Sequence, residues 1–157
     1  RQGFQVDAID LSKTAVDWAR SNAAAAGMPV DFSCGSVFDV DPEPSFDLVY
    51  DSGCFHHLWP HQRAGYVALI ARLLQPGGTF GLVCFRPEGG SGYSDEEVQR
   101  HGSLGGGLGY TEDALRTIWS PAVDIICIER MAKPLPDSGQ FGEAFLWTLL
   151  ANSRTAL

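Results

Sequence analysis

The sequence predicts an α/β fold built on a mainly parallel sheet that ends in an antiparallel strand pair. Two observations carry this expectation. Short apolar runs alternate with helix-forming stretches of ten or more residues, and a helical crossover is what lets successive strands run in the same direction. The last two apolar runs, residues 123–131 and 145–152, are joined instead by residues 132–142, which have no helical periodicity to supply a crossover, so this pair reads as antiparallel.

Taken in order, residues 4–10 cluster Phe4, Val6, Ala8 and Ile9 ahead of the acid Asp10 and read as a strand. Ser12 opens an alanine-rich helix over residues 13–26, its hydroxyl accepting a free amide of the first turn, and Gly27 ends it in the left-handed conformation. Met28 and Pro29 return the chain to a short strand at residues 30–34, after which Gly35-Ser36 and the acid and proline loop at 41–44 exclude regular structure. Residues 46–51 form a third strand. Residues 61–74 place Tyr66, Leu69, Ile70, Leu73 and Leu74 on one helical face. Pro76 with Gly77 and Gly78 then stops the helix and reverses the chain into a buried strand at 79–85.

Residues 87–110 break the rhythm with glycines at 89, 90, 92, 102, 105, 106, 107 and 109 around one capping-box signature, Ser94-Asp95-Glu96-Glu97. They read as a mobile excursion holding one short helix, and as a candidate substrate cover. Thr111 then caps a helix to about Trp119, with Glu112 and Asp113 at the positive end of its dipole.

Composition narrows the function classes. The 157 residues, 45% hydrophobic and 19% charged, suit one compact domain over residues 1–157. Eleven basic against 19 acidic side chains give a net charge of −8, which argues against nucleic acid and anionic membrane surfaces as partners. The apolar runs are far shorter than the roughly 20 residues a spanning helix needs. Residues 1–20 carry Asp7, Asp10 and Asp17 and lack the basic start of a signal peptide, so the expected location is cytoplasmic. Cys34, Cys54, Cys84 and Cys127 form no CxxC pair and read as reduced thiols. Cys54, His56, His57 and His61 lack the paired spacing of a zinc site, so no metal is expected.

Four local patterns carry a family resemblance. Ala8-Ile9-Asp10-Leu11-Ser12 resembles the second strand and ribose-binding acid of class I S-adenosylmethionine-dependent methyltransferases, and residues 30–39 resemble their third strand and adenine-binding turn. Phe46-Asp47-Leu48-Val49-Tyr50-Asp51 resembles their fourth strand, and Leu73-Leu74-Gln75-Pro76-Gly77-Gly78-Thr79-Phe80 their LxPGG approach to the fifth. The patterns span residues 4–86 in the family's order. The run Asp51-Ser52-Gly53-Cys54-Phe55-His56-His57-Leu58 is similar to a small-molecule branch with thiopurine- and tellurite-methyltransferase-like relatives.

The resemblance implies a Rossmann-like fold, S-adenosylmethionine as cofactor, and methyl transfer to a small-molecule N, O or S acceptor. It leaves the oligomeric state open. Asp10 would accept the ribose hydroxyls, or else only cap the helix beside Ser12. Leu11 would wall the adenine or pack in the core. Ser36 would meet the adenine amino group, or be a plain turn residue, and Val37 would pack on the ring. Asp51, Ser52 and Gly53 would receive the methionine end, with a structural Asx turn as the competing reading of Asp51. One of His56 and His57, not both, would act as a base if the acceptor must lose a proton. Tyr93 and Tyr110 would line the substrate cover.

One departure from the family pattern stands out. The glycine-rich loop that follows the family's first strand should lie about 20 residues before the second-strand acid, and Asp10 leaves no room for it. The chain also begins with Arg1 rather than methionine. The resemblance therefore implies a partial domain, inactive by itself, whose first strand, first helix and glycine loop lie upstream, that strand belonging between those at 4–10 and 46–51. Two rivals stay open: a nicotinamide-dependent oxidoreductase fragment, which would show a GxGxxG loop upstream, and a non-catalytic partner subunit that kept the sheet.

Overall fold

The computed structural model describes residues 3–41, 43, 46–135 and 137–154, and the chain divides into two compact units, residues 1–41 and 42–157. The first unit is a βαβ motif: β1 (Asp7–Asp10), α1 (Lys13–Ala25) and β2 (Asp31–Cys34). The two strands run parallel in a register from Asp7 opposite Asp31 to Asp10 opposite Cys34. Ser12 is extended and its Oγ accepts Ala15 N–H at 3.3 Å, the expected cap, and Gly27 takes φ +63°. β1 starts at Asp7, three residues later than expected, because only four residues find partners on β2 and Phe4 and Val6 stay exposed. Val16 is the one fully buried apolar side chain among the described residues of this unit.

The second unit holds β3 (Phe46–Ser52), α2 (Arg63–Leu73), β4 (Leu74–Phe85), α3 (Asp95–His101), α4 (Glu112–Trp119), β5 (Val123–Arg130) and β6 (Leu146–Ser153). Its sheet has the order β3-β4-β6-β5. β3 and β4 are parallel, as a helical crossover through α2 requires. β6 is antiparallel to both β4 and β5, so the closing pair has the sense expected from its helix-free connection. One face of the sheet is covered by an aromatic core in which Trp119 meets Phe80 and Phe55 at centroid distances of 4.6 and 5.2 Å, and Phe55 stacks on Tyr110 at 4.8 Å. The opposite face leaves Leu48, Tyr50 and Leu150 exposed. No helix among the described residues is long and apolar enough to cross a membrane.

Two expectations need correction. Residues 75–78 do not form a free reversal ahead of the strand: β4 already pairs at Leu74, and the Pro-Gly-Gly segment makes a bulge between the pairs Phe46/Leu74 and Leu48/Thr79. A Cβ at Gly78 would lie 2.9 Å from the carbonyl oxygens of both Gln75 and Phe46, so the bulge closes only around glycine. The glycine-rich excursion, expected to be mobile, is laid down on the sheet end by hydrogen bonds from Ser91 N–H to Gly107 O, Leu108 N–H to His56 O and Tyr110 N–H to Phe85 O, at 2.8 to 3.0 Å. Its glycines serve close approach: a Cβ at Gly90 would lie 2.1 Å from Gly109 N, and one at Gly109 2.6 Å from Arg86 O. The expected short helix is present as α3, with the reciprocal capping box of Ser94 and Glu97.

Candidate functional site

At the carboxyl end of β1, Asp10 Oδ1 accepts Ser12 N–H at 2.7 Å. This bond orients the carboxylate and leaves Oδ2 without a partner among the described residues. Leu11 beside it is 78% exposed, an apolar side chain with nothing of its own to cover it. After β2, Ser36 Oγ accepts Phe38 N–H at 3.2 Å and so caps the short 3-10 turn Val37–Asp39. Its hydroxyl keeps a hydrogen and a second lone pair for another partner. Val37 is half-buried. A carboxylate oxygen facing solvent next to an uncovered leucine is a donor set that fits a nucleoside, whose ribose hydroxyls and flat base need one of each.

The second unit builds a different arrangement after β3. Asp51 is buried, with Oδ1 accepting Cys54 N–H at 2.6 Å and Oδ2 accepting Phe55 N–H at 3.0 Å and the Tyr66 hydroxyl at 2.7 Å. Burial raises its pKa, against the lowering effect of these hydrogen bonds. The carboxylate thus points inward and ties the main chain three and four residues on to the Tyr66 hydroxyl of α2. What this corner offers a ligand is the exposed Ser52 and the main chain of Gly53, held at φ +100°.

His56 and His57 diverge, as adjacent side chains must. His57 is exposed, whereas His56 is 5% exposed, with its ring stacked on Phe85 at 3.7 Å. Burial, followed by the charge of His57, brings the His56 pKa down to about 4. At neutral pH it is an uncharged imidazole too weakly basic to keep a proton. Tyr110 departs from the expected substrate contact: it is 5% exposed, stacked in the core on Phe55, and its hydroxyl accepts Arg63 Nε–H at 3.0 Å. Tyr93 keeps 37% of its surface and stacks on His101 at 5.0 Å. Sequence reasoning missed Tyr66, Phe85 and Gly107 as determinants of this corner. The signal for Phe85 was its position at the last residue of a strand that ends where ligands bind in parallel sheets.

The N-terminal half of the chain matches a family model described as "Methyltransferase domain" over residues 1–78. The chain belongs to the S-adenosylmethionine-dependent methyltransferase family. Among curated proteins it is 31% identical over 78 residues to a ubiquinone biosynthesis O-methyltransferase of Rhodopseudomonas palustris (strain HaA2), covering 50% of this chain and 30% of that protein. It is 36% identical over 80 residues to the protein of the same name from Paramagnetospirillum magneticum (strain ATCC 700264 / AMB-1), covering 51% and 31%. The chain therefore spans under a third of the length of these relatives. Among solved structures it is similar to the Burkholderia thailandensis 1,6-didemethyltoxoflavin-N1-methyltransferase, which holds 1,6-didemethyltoxoflavin and S-adenosylhomocysteine. That likeness has a TM-score of 0.70 at 26% identity, covering 98% of this chain and 63% of the other. The Rossmann-like architecture of this methyltransferase is the one found here.

Proposed function

We propose that the protein transfers a methyl group from S-adenosylmethionine to a small-molecule N, O or S acceptor, and that residues 1–157 belong to one methyltransferase domain. The family match over residues 1–78 supports the second point, because it runs across both compact units. The observation that carries the first is the corner at the end of β1, where one oxygen of Asp10 is fixed by Ser12 N–H and the other is open beside the exposed Leu11.

When bound, the cofactor supplies a methyl group on a sulfonium, and its transfer is an in-line displacement that needs alignment and dryness more than acid or base. Asp10 accepts the ribose hydroxyls, and Leu11 and Val37 flank the adenine, with the Ser36 hydroxyl available to its amino group. Ser52 and the Gly53 main chain receive the methionine end, on a turn that the inward-facing Asp51 carboxylate keeps in shape. Tyr93, on the segment before α3, is the tyrosine left to contact an acceptor. If the acceptor must lose a proton, the exposed His57 is better placed to take it than His56.

Calorimetric titration with S-adenosylhomocysteine tests the reading. Binding that Asp10→Ala weakens about a hundredfold, the loss expected when a charged hydrogen-bond acceptor for two hydroxyls is removed, supports it. A folded protein that binds NAD but not S-adenosylhomocysteine overturns it.

A further inference from the structure

Aromatic rings with accessible surface gather at the carboxyl end of β4, apart from the buried aromatic core. Phe85, the last residue of that strand, is half-buried. The Phe145 ring is 40% exposed and lies 6.1 Å from the Phe85 ring between centroids, tilted by 58°. His57, also exposed, sets its ring edge-on to Phe85 at 6.0 Å and 74°. His56 stacks on Phe85 at 3.7 Å and 21°, which occupies one face of the phenylalanine and fixes its tilt. The rings come from three stretches of chain: the turn after β3, the end of β4 and the approach to β6. An isolated exposed ring needs no explanation. Rings within contact range of one another, at the strand end where α/β sheets bind ligands, call for one.

The neighbouring main chain leaves these rings free of further side chains. A Cβ at Gly107 would lie 2.8 Å from Phe85 Cε2 and 3.1 Å from Cδ2, and one at Gly89 would lie 2.8 Å from Phe145 Cδ2. Glycine at both positions lets the backbone border the rings with nothing projecting onto them. Val83, two residues before Phe85, pairs with Ser52, so the rings stand beside the Ser52–Gly53 turn. The proposed function gives that turn the methionine end of the cofactor, and the inference rests on that reading. What such a surface holds best is another flat ring, because stacked and edge-to-face aromatic pairs gain more than burial of equal apolar area alone.

We propose that the methyl acceptor is an aromatic or heteroaromatic compound whose ring lies against Phe85, Phe145 and His57, with the N, O or S atom to be methylated on its edge. The three side chains set how the acceptor ring lies, and so which edge atom meets the methyl group. That atom bonds to the methyl carbon, the carbon–sulfur bond breaks with its electron pair left on sulfur, and the acceptor's proton passes to His57 or to water. An aliphatic acceptor of the same size gains burial here but no ring contact.

A matched pair of alcohols tests this: 2-naphthol, which is flat and aromatic, and decahydro-2-naphthol, which keeps the carbon skeleton and hydroxyl without the π system. Each is titrated into the protein saturated with S-adenosylhomocysteine, with the ring resonances of His57, Phe85 and Phe145 as the readout. Expected is 2-naphthol binding roughly fivefold tighter than the saturated alcohol, with shifts at those three rings. Phe145→Leu, at an exposed position, should weaken 2-naphthol about three- to tenfold, the worth of an aromatic pair. It should leave decahydro-2-naphthol and S-adenosylhomocysteine binding nearly unchanged, and Phe85→Leu should act in the same direction. Equal affinities for the two alcohols, no 2-naphthol binding, indifference to Phe145→Leu, or shifts confined to other residues would overturn the proposal, while S-adenosylhomocysteine binding keeps the methyltransferase reading intact. A folded protein that binds NAD but not S-adenosylhomocysteine overturns that reading, and the acceptor assignment with it.

Discussion

His56 and Asp51 stand five residues apart, both buried, and titrate with opposite consequences for stability. The folded pKa of His56 is about 4, below the ordinary 6.5, so between these values the unfolded chain binds more protons than the folded one. Its contribution is complete above about pH 6.5 and is lost as pH falls toward 4, by about 3 kcal/mol across the window. Asp51 is raised, so its contribution is complete below its ordinary value of 3.8 and declines as pH rises through the raised one. Comparing urea midpoints of the protein and His56→Phe at pH 7.5 and 4.5 separates the two, because Asp51 acts alike in both. The variant should lose the acid-side decline of the histidine, and an unaltered decline would mean that His56 is not buried uncharged. The Tyr66 hydroxyl on Asp51 Oδ2 at 2.7 Å supports the same turn. Tyr66→Phe should destabilise the protein by about 1–3 kcal/mol, the range for leaving a buried acceptor without its donor, and a loss under about 0.5 kcal/mol in denaturant titrations would contradict that.

Elements whose start and stop signals lie within their own residues were legible in the sequence. Thr111 caps α4, which runs from Glu112 to Trp119 as read, and Ser94 with Glu97 caps α3. The antiparallel sense of β5 and β6 followed from a missing crossover. What escaped depends on partners distant in sequence: the bulge of β4 at Gly78 answers to Phe46 O, and the glycines of residues 87–110 answer to strand ends on either side. In the candidate site, Asp10 was legible as an acid at a strand end, but the inward aim of Asp51 and the burial of Tyr110 were set by Tyr66, Arg63 and Phe55. Gly109→Ala isolates the glycine effect. Its Cβ would lie 2.6 Å from Arg86 O and 2.8 Å from Pro87 Cα, main-chain atoms that cannot step aside. A loss of about 3 kcal/mol or more is expected, as for other backbone clashes, with Ser94→Ala losing about 1 kcal/mol as a lost cap. If thermal melts rank these two variants the other way, the glycine segment is held less closely than its hydrogen bonds indicate.

For the whole molecule, the two compact units carry unequal cores. The second buries Phe55, Tyr66, Phe80, Leu82, Leu115 and Trp119 against a four-stranded sheet, while the first rests on Val16 and a two-stranded pair. Apolar burial is the main favourable term in folding, and two strands with so little behind them are marginal in water. Amide hydrogen exchange should therefore show β1 and β2 opening with a free energy well below that of β4 and β6. The proposed ribose contact then makes a directional claim. A ligand held by Asp10 stabilises only states in which β1 is formed, by about 2.7 kcal/mol at a hundred times Kd. Saturating S-adenosylhomocysteine should slow exchange in β1 and at the start of α1 by about a hundredfold, and Asp10→Ala should abolish the slowing there. Protection gained at the turn after β3 while β1 is unaffected would place the ligand on the second unit alone and remove Asp10 from the cofactor site.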